Sequence, residues 1–151
     1  MVELGPDDDD IESLKAPLIM RLAGIALGLD GVFTVVLALQ NFVGLPMRAP
    51  FIAVSALTLC FGVALTLIGV RTAGARGWAA IAGTVVAGLF ALADLTWVVF
   101  EFAHGVVSLL ALGLVPLSAL AAILAGFAIP AGLQADKARF RLDAQGFKPG
   151  F

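Results

Sequence analysis

Four long apolar stretches alternate with short connections along the chain. They cover residues 22–43, 51–70, 78–100 and 106–131. Each has at least the roughly 20 residues that an α-helix needs to cross the hydrocarbon core of a bilayer. A spanning segment must be helical unless it joins a closed barrel, because lipid offers no partner to unpaired backbone groups. The alternation of about ten residues that marks barrel strands does not occur. The pattern therefore predicts four membrane-spanning helices.

The short connections predict how these helices are arranged. Consecutive helices joined by short links become antiparallel neighbours, so we expect an all-α, up-down four-helix bundle. The predicted organisation is an acidic tail over residues 1–16, a transmembrane domain over 17–133 and a basic tail over 134–151. Pro116 is expected to kink the fourth helix, and Pro130 to end or bend it.

The composition supports a membrane protein. Of the 151 residues, 61% are hydrophobic and 13% are charged, and the mean hydropathy is +1.06. Soluble domains have roughly 45–50% apolar and about 25% charged residues, so a water-soluble globule is excluded. The net charge of −2 leaves no basic footprint, and we expect no nucleic-acid partner.

The basic residues predict the orientation. Only Arg48 falls in the first connection, whereas eight others belong to the opposite side of the predicted bundle. Because Lys and Arg accumulate on the cytoplasmic side, both termini should be cytoplasmic, in a bacterial-type inner (plasma) membrane. The eight are Lys15, Arg21, Arg71, Arg76, Lys137, Arg139, Arg141 and Lys148.

Both tails have two interpretations. The run Asp7–Asp10 is either a solvated segment or a docking segment for a basic partner. The stretch 137–147 mixes basic and apolar residues, and either lies on the anionic inner leaflet or is solvated. No cofactor is predicted, but a bound lipid is possible.

Small residues recur at helical spacing and predict close helix packing. Membrane helices associate where small side chains let their backbones approach. The packing could be within the chain, with other membrane subunits or with further copies in a homo-oligomer. The predicted packing positions are Gly24, Gly28, Gly62, Gly83 and Gly126.

Two acidic residues interrupt the apolar stretches. Asp30 lies near the middle of the first predicted helix and Asp94 in the outer part of the third. An Asp at the centre of a membrane helix costs about 2.5–3.5 kcal/mol on insertion scales, and no Lys or Arg lies at similar depth. The two carboxyl groups are therefore either protonated or bound to something. The candidates are hydroxyl groups of the second helix, each other through a shared proton, an ion, or a base on another subunit.

Further polar and aromatic side chains continue from each acid along one helix face. The two faces could line one crevice that opens to the outer side. On the third helix they are Trp97, Glu101 and His104, and on the first helix Thr34 and Asn41.

Four interpretations of these residues remain open: neutral packing, contact with a partner membrane protein, a proton or cation relay, and binding of a lipid, quinone or pigment. The chain has one His and one Cys, and no nucleophile–base pair or metal-ligand spacing. We therefore expect no enzyme activity, metal or cofactor. The preferred hypothesis is a non-catalytic accessory, assembly or stabilising subunit that packs against other membrane proteins or itself. The alternative is a proton- or cation-coupled transporter or channel that uses Asp30 and Asp94.

Overall fold

A computed structural model describes residues 16–44, 49–103, 105 and 109–146. Within these ranges every regular element is an α-helix. All four helices contain a stretch that is long and apolar enough to cross a membrane, which confirms the four predicted helices and indicates a membrane protein. The helices are α1 (Leu18–Gly44), α2 (Ala49–Ala73), α3 (Gly77–Ala103) and α4 (Leu109–Ala144).

Helix α4 is much longer than the predicted span over residues 106–131. It passes through both Pro116 and Pro130 and ends at Ala144. Proline is tolerated inside membrane helices because neighbouring groups can satisfy the freed backbone carbonyls. Neither proline ends α4, and its last turns belong to the segment that was predicted as the basic tail.

The helices associate in two closely packed pairs, α1 with α2 and α3 with α4, and α1 also packs along α4. Glycines bring the first pair into backbone contact. A Cβ atom on Gly31 would lie 2.6 Å from the carbonyl oxygen of Gly62, and one on Gly24 would lie 2.6 Å from that of Gly69. Only glycine allows this separation, so the α1–α2 contact depends on these positions.

Two apolar clusters fill the interior. The first joins the beginning of α1, the turn between α2 and α3, and the later part of α4. The second lies next to it, toward the middle of the bundle. The buried members of the first are Met20, Ala23, Ala75, Ala80, Ala128 and Ala135. Those of the second are Ala26, Leu27, Leu65, Ala87, Ala121 and Ala125.

Large apolar side chains cover the outside of all four helices. Examples are Ile25 on α1, Leu67 on α2, Leu89 on α3 and Phe127 on α4, each more than half exposed. Exposed apolar area on this scale is unfavourable in water and suits a surface that faces lipid.

Candidate functional site

Both intramembrane acids contact one serine in the bundle interior. Ser118 Oγ of α4 donates a hydrogen bond to Asp30 Oδ1 of α1 at 2.7 Å. The same oxygen lies 3.1 Å from Asp94 Oδ2 of α3. Asp30 and Ser118 are fully buried, and Asp94 is partly buried. Side chains from three helices thus meet at a single hydroxyl group.

The second apolar cluster positions this site. Asp30 follows Leu27 by about one helical turn, and Ser118 precedes Ala121 by about one turn. Asp94 follows Ala87, another cluster member, by about two turns. Packing at these small and apolar positions brings the three polar side chains together at one edge of the cluster.

The number of protons limits the charge that this site can carry. A serine hydroxyl has one hydrogen to donate and two lone pairs to accept with. It can therefore donate to only one carboxylate at a time. Its contact with the other is a hydrogen bond only if that carboxyl group is protonated and donates to Ser118 Oγ. Both contacts form together when the two acids share one added proton.

Electrostatic repulsion favours the same state. The two distances from Ser118 Oγ sum to 5.8 Å, so Asp30 Oδ1 and Asp94 Oδ2 can be no farther apart than this. Two full charges at that separation repel by about 3 kcal/mol at an effective dielectric constant of about 20. Within the described residues no Lys or Arg forms a salt bridge with Asp30 or Asp94, so no base there offsets this repulsion. Proton sharing removes it.

Asp30 keeps one oxygen for a further bond. Its Oδ2 atom is buried and has no hydrogen-bond partner within the described residues. A buried oxygen without a partner costs about 1–3 kcal/mol. This oxygen can hold a proton without giving up the bond between Oδ1 and Ser118.

The polar faces predicted beside the acids differ in what they contact. Thr34 is buried, but its hydroxyl group donates to the backbone oxygen of Asp30 at 2.8 Å rather than to the carboxylate. Asn41 is partly exposed. On α3, Trp97 Nε1 donates to Glu101 Oε1 at 2.8 Å. His104 lies outside the described residues.

The predicted packing glycines fall into four kinds of environment. Gly24 and Gly62 lie in the α1–α2 contact, and Gly83 lies against Leu27, where a Cβ atom would be 2.6 Å from Cδ1. A Cβ atom on Gly126 would be 3.8 Å from the Thr84 methyl group, an ordinary contact, and one on Gly28 would meet nothing within 4 Å.

A second polar cluster, not predicted from the sequence, joins α4 to the turn before α3. Arg139 donates from Nη1 to Ala75 O at 2.7 Å and from Nη2 to Gly74 O at 2.9 Å. Asp136 pairs with Arg139 at 3.1 Å and accepts from the Gly77 backbone N–H at 2.9 Å. The extension of α4 thereby caps both the end of α2 and the beginning of α3.

The role of Ser118 was also not predicted, since the only hydroxyl groups among the four candidate partners were those of the second helix. The available signal was a lone hydroxyl in a strongly apolar part of the fourth stretch. Within the described ranges, no group of three or more His, Cys, Asp or Glu side chains is placed to hold a metal ion.

Comparison of the chain with family models, with curated proteins and with solved structures finds no match. The Asp30–Ser118–Asp94 site is therefore the feature from which a function can be inferred.

Proposed function

We propose that this chain is a small membrane proton carrier that binds a proton between Asp30 and Asp94. The observation that supports this is the contact of one serine hydroxyl with both carboxyl groups. Intramembrane carboxylates are the usual groups of proton relays. In this proposal, the site alternates between one and two added protons as it takes up a proton on one side of the membrane and releases it on the other.

Ser118 gives the proton a route between the two acids. When Asp94 is protonated it donates to Ser118 Oγ, while the serine hydroxyl donates to Asp30. Transfer of both hydrogens along this chain leaves Asp30 protonated and Asp94 ionised. Because Asp94 is only partly buried and Asp30 is fully buried, Asp94 is the group through which protons would enter.

The entry side follows from the neighbours of the site. Trp97 and Glu101 continue from Asp94 toward the end of α3. In the other direction, the second apolar cluster, including Leu27 and Leu65, separates the site from the beginning of α1. We propose that protons enter from the Glu101 end, and that crossing requires rearrangement of this cluster.

We further propose an up-down topology with both termini cytoplasmic, in a bacterial inner membrane. The order of the glycine contacts supports antiparallel α1 and α2, since Gly24 meets Gly69 and Gly31 meets Gly62. The first apolar cluster supports one common end for Met20, Ala75 and Ala135. The described Lys and Arg residues all belong to the helix ends and the turn on that side: Arg21, Arg71, Arg76, Lys137, Arg139 and Arg141.

Proton flux into liposomes tests the proposed function. The parent protein, Asp30→Asn and Asp94→Asn are reconstituted at equal density with a pH-sensitive dye inside, and a potassium diffusion potential drives uptake. We expect flux above that of protein-free liposomes in the parent and none in either variant. The matched control, Asp143→Asn, removes an exposed acid of α4 and should keep the parental rate. Equal flux in all four proteins would show that the two acids carry no transport.

The second candidate function is the non-catalytic accessory or assembly subunit, acting through helix packing with other membrane proteins or with itself. Ser118 gives both acids a partner within the chain, so they do not by themselves require another subunit. The observation that favours this candidate is the surface of α3, which buries the smallest share of its apolar segment. A Cβ atom on its Gly88 would meet nothing within 4 Å, which leaves room for another helix.

Purification in mild detergent separates the two candidates. A partner that co-purifies at a fixed stoichiometry, and is lost in Gly88→Leu, would favour the accessory role. A protein that purifies as a lone monomer would count against it. Substitution of Gly113, where a Cβ atom on α4 would also meet nothing within 4 Å, is the matched control.

A further inference from the structure

A basic pocket lies at the end of the bundle that holds the turn between α2 and α3. It has a volume of about 470 Å³. Arg71, Arg76 and Arg139 contribute the charged part of its lining. Ala16, Leu67 and Val70 contribute apolar surface beside them. The pocket therefore has both charged and apolar lining, and it lies at one end of the membrane-spanning helices.

Two of the three guanidinium groups are available for a ligand. Arg139 is engaged with Asp136 and with two carbonyl oxygens of the turn, which uses three of its five N–H donors. Arg71 is exposed and Arg76 is partly buried. Neither has an ion-pair partner among the residues that the structure describes. The pocket thus carries about two unneutralised positive charges.

We infer that this pocket binds the phosphate of an anionic phospholipid headgroup. Guanidinium groups match phosphate oxygens in geometry and charge, and basic pockets between membrane helices suit acidic lipid headgroups. A free phosphate offers the same anion. The lipid is the preferred source because Leu67, one turn before Arg71 on α2, and Val70, next to Arg71, present apolar surface to an acyl chain.

The inference does not depend on the proposed proton site. Asp30, Asp94 and Ser118 do not line this pocket. A carrier that loses its proton flux could still bind the lipid, and loss of lipid binding would leave the assignment of Asp30 and Asp94 in place.

Native mass spectrometry of the full chain in mild detergent tests whether the basic pocket binds an anionic lipid. The protein is incubated with phosphatidylglycerol, or with phosphatidylcholine at the same concentration. We expect retention of one phosphatidylglycerol and no comparable retention of phosphatidylcholine. In Arg71→Gln/Arg76→Gln, the affinity for phosphatidylglycerol should fall about 10- to 30-fold, since each basic residue near a lipid surface contributes about 1 kcal/mol. Arg71→Lys/Arg76→Lys should keep most of the binding.

The matched control is Lys137→Gln/Arg141→Gln, which removes the same amount of charge from α4, outside this pocket. It should retain the lipid as the parent does, and all variants are first compared with the parent in thermal unfolding. Equal losses in the two double glutamine variants would overturn the inference. So would displacement of the lipid by inorganic phosphate at equal concentration, which would identify the ligand as free phosphate. If phosphatidylglycerol binds only after Asp7–Asp10 are changed to Asn, the acidic run occupies the pocket in the parent protein, and the inference is wrong.

Discussion

Asp136 accepts a hydrogen bond from the backbone N–H of Gly77, 59 positions earlier in the chain, at 2.9 Å. The two backbones also meet closely here, because a Cβ atom on Gly77 would lie 2.8 Å from the carbonyl carbon of Gly132. The first turn of α3 is therefore held by a carboxylate from α4. This carboxylate stabilises an N-terminus whose free N–H groups need a partner.

The first prediction concerns this cap. Asp136→Ala removes the acceptor for Gly77 and the partner of Arg139, and should lower the free energy of unfolding by about 1–2 kcal/mol. Unfolding by SDS in mixed micelles, followed by circular dichroism, measures the change. Asp143→Ala, an exposed position on the same helix, should change it by less than about 0.5 kcal/mol. Comparable losses in the two variants would contradict a capping role.

The second prediction concerns the α1–α2 contact. A Cβ atom on Gly31 would lie 2.5 Å from Thr66 Oγ1 and 2.6 Å from Gly62 O. Gly31→Ala must push the helices apart and should cost about 1–3 kcal/mol in the same assay. Gly28→Ala, on the same helix with nothing within 4 Å of its Cβ, should be close to neutral. If the two substitutions cost the same, the backbone contact is not what limits the packing.

The third prediction concerns the bond between Asp30 and Ser118. A double-mutant cycle of Asp30→Ala and Ser118→Ala should give a coupling energy of about 1–2 kcal/mol, because the buried bond is lost in either single variant. The control cycle pairs Asp30→Ala with Thr84→Ala, whose hydroxyl group bonds within its own helix to Ala80 O. Its two effects should add to within about 0.5 kcal/mol. Additivity in the first cycle would mean that the contact contributes nothing to stability.

The fourth prediction concerns the proposed topology. In a Cys60→Ala background, a cysteine at Ala103 should react with a membrane-impermeant maleimide in intact cells. A cysteine at Gly74 should react only after the cells are broken. Both positions are exposed, so the difference reports the side of the membrane rather than burial. The reversed pattern would refute the orientation that the basic residues predict.

The sequence predicted the helices well because lipid imposes a simple length and hydropathy requirement. The starts of α2 and α3 at Ala49 and Gly77 lie within two residues of the predicted spans. The length of α4 was underestimated because the apolar signal ends before Gln134. Beyond that point the helix continues through polar residues such as Asp136 and Arg139. These residues contact the turn between α2 and α3, which is distant in the sequence.

The neighbours of each helix were harder to predict. Apolar residues surround every helix, so no polar face marks the outside as it does in a soluble bundle. Asp30 and Asp94 could be singled out because a carboxyl group in lipid is costly. Ser118 could not be assigned to them, because a lone hydroxyl in such a helix can satisfy itself on its own backbone. Likewise, the roles of Gly31 and Gly69 in the α1–α2 contact can be recognised only when the relative position of the two helices is known.

The acid–serine cluster also joins the two halves of the bundle mechanically. Ser118 and Asp94 belong to the α3–α4 hairpin, whereas Asp30 belongs to the α1–α2 hairpin that the glycines fasten together. Sliding of one hairpin along the other would separate Ser118 from Asp30 and leave Ser118 beside Asp94. The bond of 2.7 Å between Ser118 Oγ and Asp30 Oδ1 therefore links the two hairpins, and its loss should make such a shift easier.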